Sequence, residues 1–258
     1  MLIDSHCHLN YDGLVERQDE VLQTARDRGV AGFLNISTRQ REWAEIVAAA
    51  EKHDDVWASI GVHPHEADAH PDLGAAALIE ASAHPRVIAI GECGLDYHYD
   101  KSDRAAQRDR FVAHIDASRQ TGLPLVIHTR DAEDDTVEIL TSAVAAGGVK
   151  GVLHCFTGSA ALAKAGLDLG FYVSISGIVT FKNAKDLQDV ARTIPKDRLL
   201  VETDSPFLAP VPHRGRPCEP AFVADTAAFL ADLRDEPVAE IAANTTANFF
   251  RLFGKAAA

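Results

Sequence analysis

An α/β fold, a (β/α)8 TIM barrel closed as a single domain over residues 1–258, is what this sequence predicts, and three observations carry the prediction. Eight short apolar, β-branched runs can be read along the chain, stretches of helical spacing lie between them, and no Pro/Gly/Ser-rich linker interrupts the alternation. The chain exceeds the usual single-domain size, but barrels of about 250 residues fold as one unit.

The first run, residues 2–8, is "LIDSHCH", and it leads into "LVERQDEVLQTARDRG", a helical pattern that closes on Gly as helices often do. The second, 32–37, precedes "QREWAEIVAAAEKH", and the third, 56–63, is "VWASIGVH". The fourth, 87–92, reads "VIAIGE" and is followed by "DRAAQRDRFVAHIDASRQTG". The fifth, 125–128, is "LVIH" before "DTVEILTSAVAAG"; the sixth, 151–154, is "GVLH". Runs at 172–178 and 199–202 complete the set, and "PVAEIAANTTANFFRLFG" makes a last helix. No internal repeat or low-complexity segment is visible.

With 47% hydrophobic and 24% charged residues, the composition is that of a globular protein with a large core rather than a disordered chain. Only four cysteines occur, no apolar run reaches membrane-spanning length, and a strand pattern rather than a charged and then apolar leader follows Met1. A cytoplasmic protein that needs no membrane and no obligatory protein partner is expected. The net charge of −13 argues against a protein that coats nucleic acid through a basic surface. It does not argue against an enzyme whose site holds divalent cations, because bound metals dominate the local field.

The polar residues at the strand ends carry the functional argument. His6 and His8 are two apart in "DSHCH", so on a strand they share a face. Alone, such a pair is a weak motif. However, His63, Glu92, His128 and His154 each end an apolar run, and Asp204 follows "LLVET". Barrel enzymes build their sites at the C-terminal ends of several strands. Gathering imidazoles and carboxylates around one mouth without a cation would leave costly buried polar groups, so a metal site at that end of the barrel is expected. Cys7, Cys93 and Cys155 each follow a ligand candidate, so alternation turns them away from the barrel axis as small buried hydrophobes. Cys218 lies in the loop "HRGRPCEP", and His53, His70, His84 and His114 are expected at the surface.

Six blocks in order, "DSHCHL" at 4–9, "GVHPHEA" at 61–67, "IGECGLDY" at 90–97, "HTRDA" at 128–132, "LHCFTG" at 153–158 and "VETDSPFL" at 201–208, make the chain resemble the TatD-type metal-dependent hydrolases over essentially its whole length. These are a branch of the amidohydrolase-like barrels associated with deoxyribonuclease activity. One departure is that His98 stands between "GLDY" and Tyr99 where a second aromatic residue often follows directly. The resemblance implies a binuclear centre in which His6, His8 and Asp204 hold one cation, His128 and His154 the other, and Glu92 bridges them. A carboxylate can span two metals about 3.5–4 Å apart. Many amidohydrolase-like barrels use a carboxylated lysine on strand 4 as the bridge; "VIAIGECG" contains none.

Two cations per chain, with Zn²⁺, Mn²⁺ or Mg²⁺ as the candidates, would lower the pKa of a shared water and neutralise the charge that develops in an in-line displacement. That suits phosphodiester hydrolysis. No serine elbow, P-loop or dinucleotide-binding glycine pattern follows any strand. Glu92 and Asp204 are the catalytic carboxylates expected, with Asp204 able both to ligate and to accept a proton. His63 is a further catalytic candidate and, with His65, Tyr97 and Arg130, a substrate contact; Lys182, Arg214 and Arg216 extend a possible basic rim. The leading reading is a 3'-5' exonuclease acting on single-stranded DNA or frayed ends. The alternatives are hydrolysis of an amide, lactone or aminoacyl ester at the same centre, and a non-catalytic metal-binding protein.

Overall fold

The computed structural model describes residues 1–257 and forms one eight-stranded parallel sheet in the order β1 to β8. The strands are β1 (Leu2–Cys7), β2 (Val30–Asn35), β3 (Val56–Ile60), β4 (Val87–Asp96), β5 (Leu125–Arg130), β6 (Gly151–Leu153), β7 (Tyr172–Ile175) and β8 (Leu199–Val201). Helices follow them in alternation: α1 (Gln18–Asp27), α2 (Trp43–Lys52), α3 (Ala75–Ser82), α4 (Arg104–Thr121), α5 (Glu133–Ala145), α6 (Ala160–Asp168), α7 (Lys185–Thr193), α8 (Val223–Arg234) and α9 (Val238–Leu252). Local chemistry sets several boundaries. Asp103 caps α4 by accepting from the amides of Ala105 and Ala106, and Gly122 ends it in the left-handed conformation at φ 72°.

The inner core takes at least one residue from every strand, among them Ile3, Leu34, Trp57, Ile88, Val126, Val152, Tyr172 and Leu200. Phe249, Leu252 and Phe253, at the end of α9, pack into the same cluster and close the N-terminal mouth of the barrel. Alternate residues such as Phe33, Val56, Leu125, Ile127, Leu153 and Val173 face the helices in a second, larger cluster. This two-sided burial is why the strands read as near-continuous apolar runs.

The register of β1 shifts between Asp4 and Cys7. Ile3 belongs to the interior cluster and Ser5 Oγ meets Ser174 Oγ at 3.1 Å, and the shift lets His6 and His8 face the interior as well. Between β8 and β1 the barrel is sealed beyond the strand ends. The Asp204 amide donates to the His6 carbonyl at 2.9 Å, the His8 amide to the Ser205 carbonyl at 2.8 Å, and Cys7 and Ser205 form an isolated bridge. Gly61 and Gly91 allow β3 and β4 to approach beneath Glu92: a Cβ on Gly61 would stand 2.3 Å from the Gly91 carbonyl carbon.

His114, expected at the surface, is fully buried on the inner face of α4. Its Nε2 accepts from the Val62 amide at 3.0 Å and its Nδ1 donates to the Arg110 carbonyl at 2.7 Å. His53, His70 and His84 are half-buried rather than exposed. Burial lowers the His114 pKa to about 4, and protonation would remove the acceptor that Val62 uses. Because the folded pKa lies below the unfolded one, the unfolded chain binds more protons between them. Stability is therefore complete above the unfolded value and is lost as pH falls toward 4. Urea unfolding of the parent and of His114→Gln should diverge in pH dependence, with the histidine costing the parent about 2 kcal/mol between roughly pH 7 and pH 5. Equal pH slopes would contradict the assignment.

Candidate metal centre

The strand ends bring the other five proposed ligands together around Glu92, which β4 places at the mouth of the barrel with 3% of its surface exposed. Its Oε1 lies 2.8 Å from His154 Nε2, 3.3 Å from His128 Nδ1 and 3.3 Å from His63 Nε2. Its Oε2 lies 3.5 Å from His6 Nε2. Asp204 Oδ1 completes the other side at 3.4 Å from His6 Nε2 and 3.3 Å from His8 Nε2. The two carboxyl oxygens of Glu92 thus face two different sets of nitrogens.

What the second nitrogen of each imidazole does distinguishes the histidines. His8 Nδ1 meets the Ile36 carbonyl at 3.2 Å, His128 Nε2 meets Asp96 Oδ2 at 3.0 Å, and His154 Nδ1 meets Glu202 Oε1 at 3.3 Å. An acceptor at that position holds a proton there and leaves the other nitrogen, which faces Glu92 or Asp204, to offer its lone pair to a cation lying between them, the arrangement of metal-ligating histidines. His63 is reversed. Its Nδ1 accepts from the His65 amide at 3.0 Å, so the neutral ring carries its proton on Nε2 and donates toward Glu92. Burial lowers its pKa to about 4, which keeps the ring neutral.

The electrostatics are those of a site that wants positive charge. Burial opposes ionisation of Glu92, yet His154, His63 and His128 hold its carboxyl well below the usual range. Burial likewise opposes charge on His154, but Glu92 and Glu202 raise its pKa well above the ordinary value. His6 Nε2 and His8 Nε2 stand 3.2 Å apart, while His6 Nδ1 and Glu202 Oε2 are buried without a partner. Three overlapping groups, His6–His154–Glu202, His6–His8–Glu92 and His63–Glu92–His128, each have ligand atoms within 4.8 Å of one another. Nitrogen lone pairs, carboxylates and orphaned buried atoms at these separations fit divalent cations.

Sequence reading missed Asp96 and Glu202. Asp96 is buried at the end of β4, where its Oδ2 takes His65 Nε2 at 2.9 Å as well as His128, and its Oδ1 accepts from the amides of His98 and Tyr99. Glu202 also accepts from the Cys155 amide at 2.7 Å. The signal was spacing: β4 runs four residues past Glu92, so Glu92, Gly94 and Asp96 alternate on one side.

The mouth opens into a cleft of about 630 Å³ lined by His8, Glu92, His63, His65, His128 and Asp204, and also by Arg130 and Tyr99. Tyr97 is not part of the lining. Its hydroxyl donates to Asp135 at 2.5 Å and Arg104 lies 4.3 Å from its ring, so the aromatic walls are Tyr99, Tyr11 and Phe207 instead. Lys182, Arg214 and Arg216 do not line the cleft; the Arg214 guanidinium packs on Phe181. Cys155 does line it, contrary to expectation. β6 ends at Leu153, so strand alternation no longer governs Cys155, which adopts φ 42° with Sγ 3.2 Å from Ser176 Oγ. Cys7, Cys93 and Cys218 are buried free thiols.

A family model described as TatD related DNase matches residues 3–254. The chain is 45% identical to an uncharacterized metal-dependent hydrolase, YcfH, of Escherichia coli strain K12, covering 98% of this chain and 95% of the other. It is 34% identical to a protein of Erwinia tasmaniensis named as the 3'-5' ssDNA/RNA exonuclease TatD, with 98% and 99% covered. The solved structure of YjjV, a TatD homologue from Escherichia coli K12, superposes with a TM-score of 0.90 at 28% identity, with 98% of each chain covered.

Proposed function

We propose, from the premise that the chain belongs to the TatD-related DNase family and is a metal-dependent hydrolase, that it removes nucleotides from the 3' end of single-stranded or frayed DNA at a binuclear centre. The observation that carries the centre is the division of labour within Glu92, whose Oε1 faces His128 and His154 while Oε2 faces the His6 side. His6, His8 and Asp204 would hold one cation, His128 and His154 the other, with Glu92 shared. Two imidazoles in each set favour Zn²⁺ or Mn²⁺, although Mg²⁺ can still support turnover. Cations held there supply Lewis-acid stabilisation of the phosphate charge and a water of lowered pKa.

The chain's own groups do the rest. Asp204 meets both imidazoles through Oδ1, which leaves Oδ2 to accept a proton from the attacking water. His63, neutral with its proton on Nε2, is placed to donate to a phosphate oxygen at the same mouth. Asp96 and Glu202 hold His128 and His154 in the tautomers that ligation requires. The nucleic-acid substrate is supported by the name of the Erwinia tasmaniensis relative and by a cleft whose aromatic walls suit unstacked bases.

Linear single-stranded DNA, the same strand closed into a circle, blunt duplex, RNA, lactones and cyclic amides, each assayed after chelation and after Mn²⁺ is restored, test the reading. Mn²⁺-dependent shortening of the linear strand from its 3' end, faster than that of the duplex, is expected. Faster cutting of the circle would exclude an exonuclease, and turnover of lactones or amides alone would move the chemistry to carbonyl substrates.

A further inference from the structure

Two exposed cations on one wall of the cleft are left without carboxylate partners. Lys101 and Arg130 line the cleft, and among the described residues neither has a carboxylate within ion-pair distance. The contrast is Arg39, also on the lining, which is neutralised by Glu42 at 2.9 Å and Glu66 at 2.9 Å. In a chain of net charge −13, two cations without carboxylate partners on the wall of the candidate site give that wall a local positive charge.

Both rest on the same ring. The Arg130 guanidinium lies 4.7 Å and the Lys101 ammonium 5.6 Å from the centre of Tyr99, within cation–π range. Tyr99 is 52% exposed, and with Phe207 at 49% it is one of two strongly exposed aromatic side chains among the described residues, both of them in this cleft. The ring does not float. The Tyr99 amide donates to Asp96 Oδ1 at 2.9 Å, and its ring meets His65 edge-on at 5.5 Å, while Asp96 also holds His128. The two cations are thus fixed, through Tyr99 and Asp96, relative to the imidazole that faces Glu92.

We infer that Tyr99, Lys101 and Arg130 form a phosphate subsite for a non-scissile phosphodiester of a single strand, so that the strand is held beyond its reacting end. The inference rests on the nucleic-acid reading of the centre and deepens it. Tyr99 brings both cations beside one ring, and Lys101 and Arg130 replace the counterions of the backbone phosphate they engage. A small carbonyl substrate would have no use for such a pair, whereas a polyanion gains affinity from each counterion released.

The test uses the metal-loaded full chain and its Lys101→Gln/Arg130→Gln variant on an oligothymidylate of about a dozen nucleotides, over a range of salt concentrations. For a single strand the slope of log affinity against log salt should flatten by about 0.7 in the variant, the contribution of one neutralised phosphate, and KM at about 0.1 M salt should rise about 5-fold. The loss should be smaller on a dinucleotide, which does not reach beyond the reacting phosphate. Tyr99→Phe, which keeps the ring, should retain the parent slope, and Tyr99→Ala should lose part of it. An unchanged slope with hydrolysis intact overturns the subsite and leaves the nuclease reading standing. A parent protein that neither binds nor cuts the strand overturns both.

Discussion

Glu92→Gln should fold and yet lose hydrolytic activity by on the order of 10³-fold, more than the 10- to 100-fold typical when only a partner of a metal ligand is removed. Both carboxyl oxygens of Glu92 are in use, one toward His154, His128 and His63 and the other toward His6. Glutamine keeps the size and one acceptor oxygen but replaces the other with an amide that donates. It also removes the one charge common to every buried imidazole of the cluster, so positive charge is less well held on both sides. Calorimetric titration should find weaker binding in both sites rather than one, and circular dichroism should report an unchanged fold. Activity within about tenfold of the parent at saturating Mn²⁺ would show that Glu92 is not shared.

For Asp204→Asn, turnover should fall by roughly 10²- to 10⁴-fold, the range for loss of a general base, with the loss in kcat rather than KM. The two effects of this residue can be separated because asparagine retains an oxygen that can face His6 and His8 but has no second oxygen to take a proton. Burial opposes charge on Asp204, yet His8 and His6 hold its carboxyl below the usual range, so it is a carboxylate at neutral pH. If the side chain only held a cation, added Mn²⁺ would restore the rate. Recovery of near-parent kcat would pass the proton-accepting role to another group.

The sequence made the candidate ligands legible because each sits at the end of an apolar run and the barrel repeats that position: alternation of strand and helix brought His6, His8, His63, Glu92, His128, His154 and Asp204 to one mouth, and the family resemblance set the six proposed ligands apart from His63. Residues that act through another residue were not. Asp96 lies past the apolar run that marked β4, and its spacing from Glu92 becomes a signal only once the strand is known to continue to it. Glu202 sits beside Asp204 in "VETD", and only the fold shows which of the two carboxylates meets His154 and which meets His6 and His8. Tyr97 and Tyr99 are two apart in a loop entry, where one-dimensional spacing cannot decide which ring enters the cleft. Cys155 and His114 failed for a related reason. Periodicity reports one element at a time, whereas the left-handed turn after β6 and the packing of α4 against the chain leaving β3 are made between elements.

The seam between β8 and β1 gives the centre a second consequence. The backbones that close the barrel there belong to His6, His8 and Asp204, the same residues whose side chains converge beneath the cleft. An ion gripped by those three side chains would act as a clasp between the first and last strands, joining segments near opposite ends of the chain. Any free energy of ion binding would then also be free energy of ring closure, since the split ring cannot present the same ligands. Loading the centre would then tighten a seam that the backbone hydrogen bonds of His6, His8 and Asp204 already close.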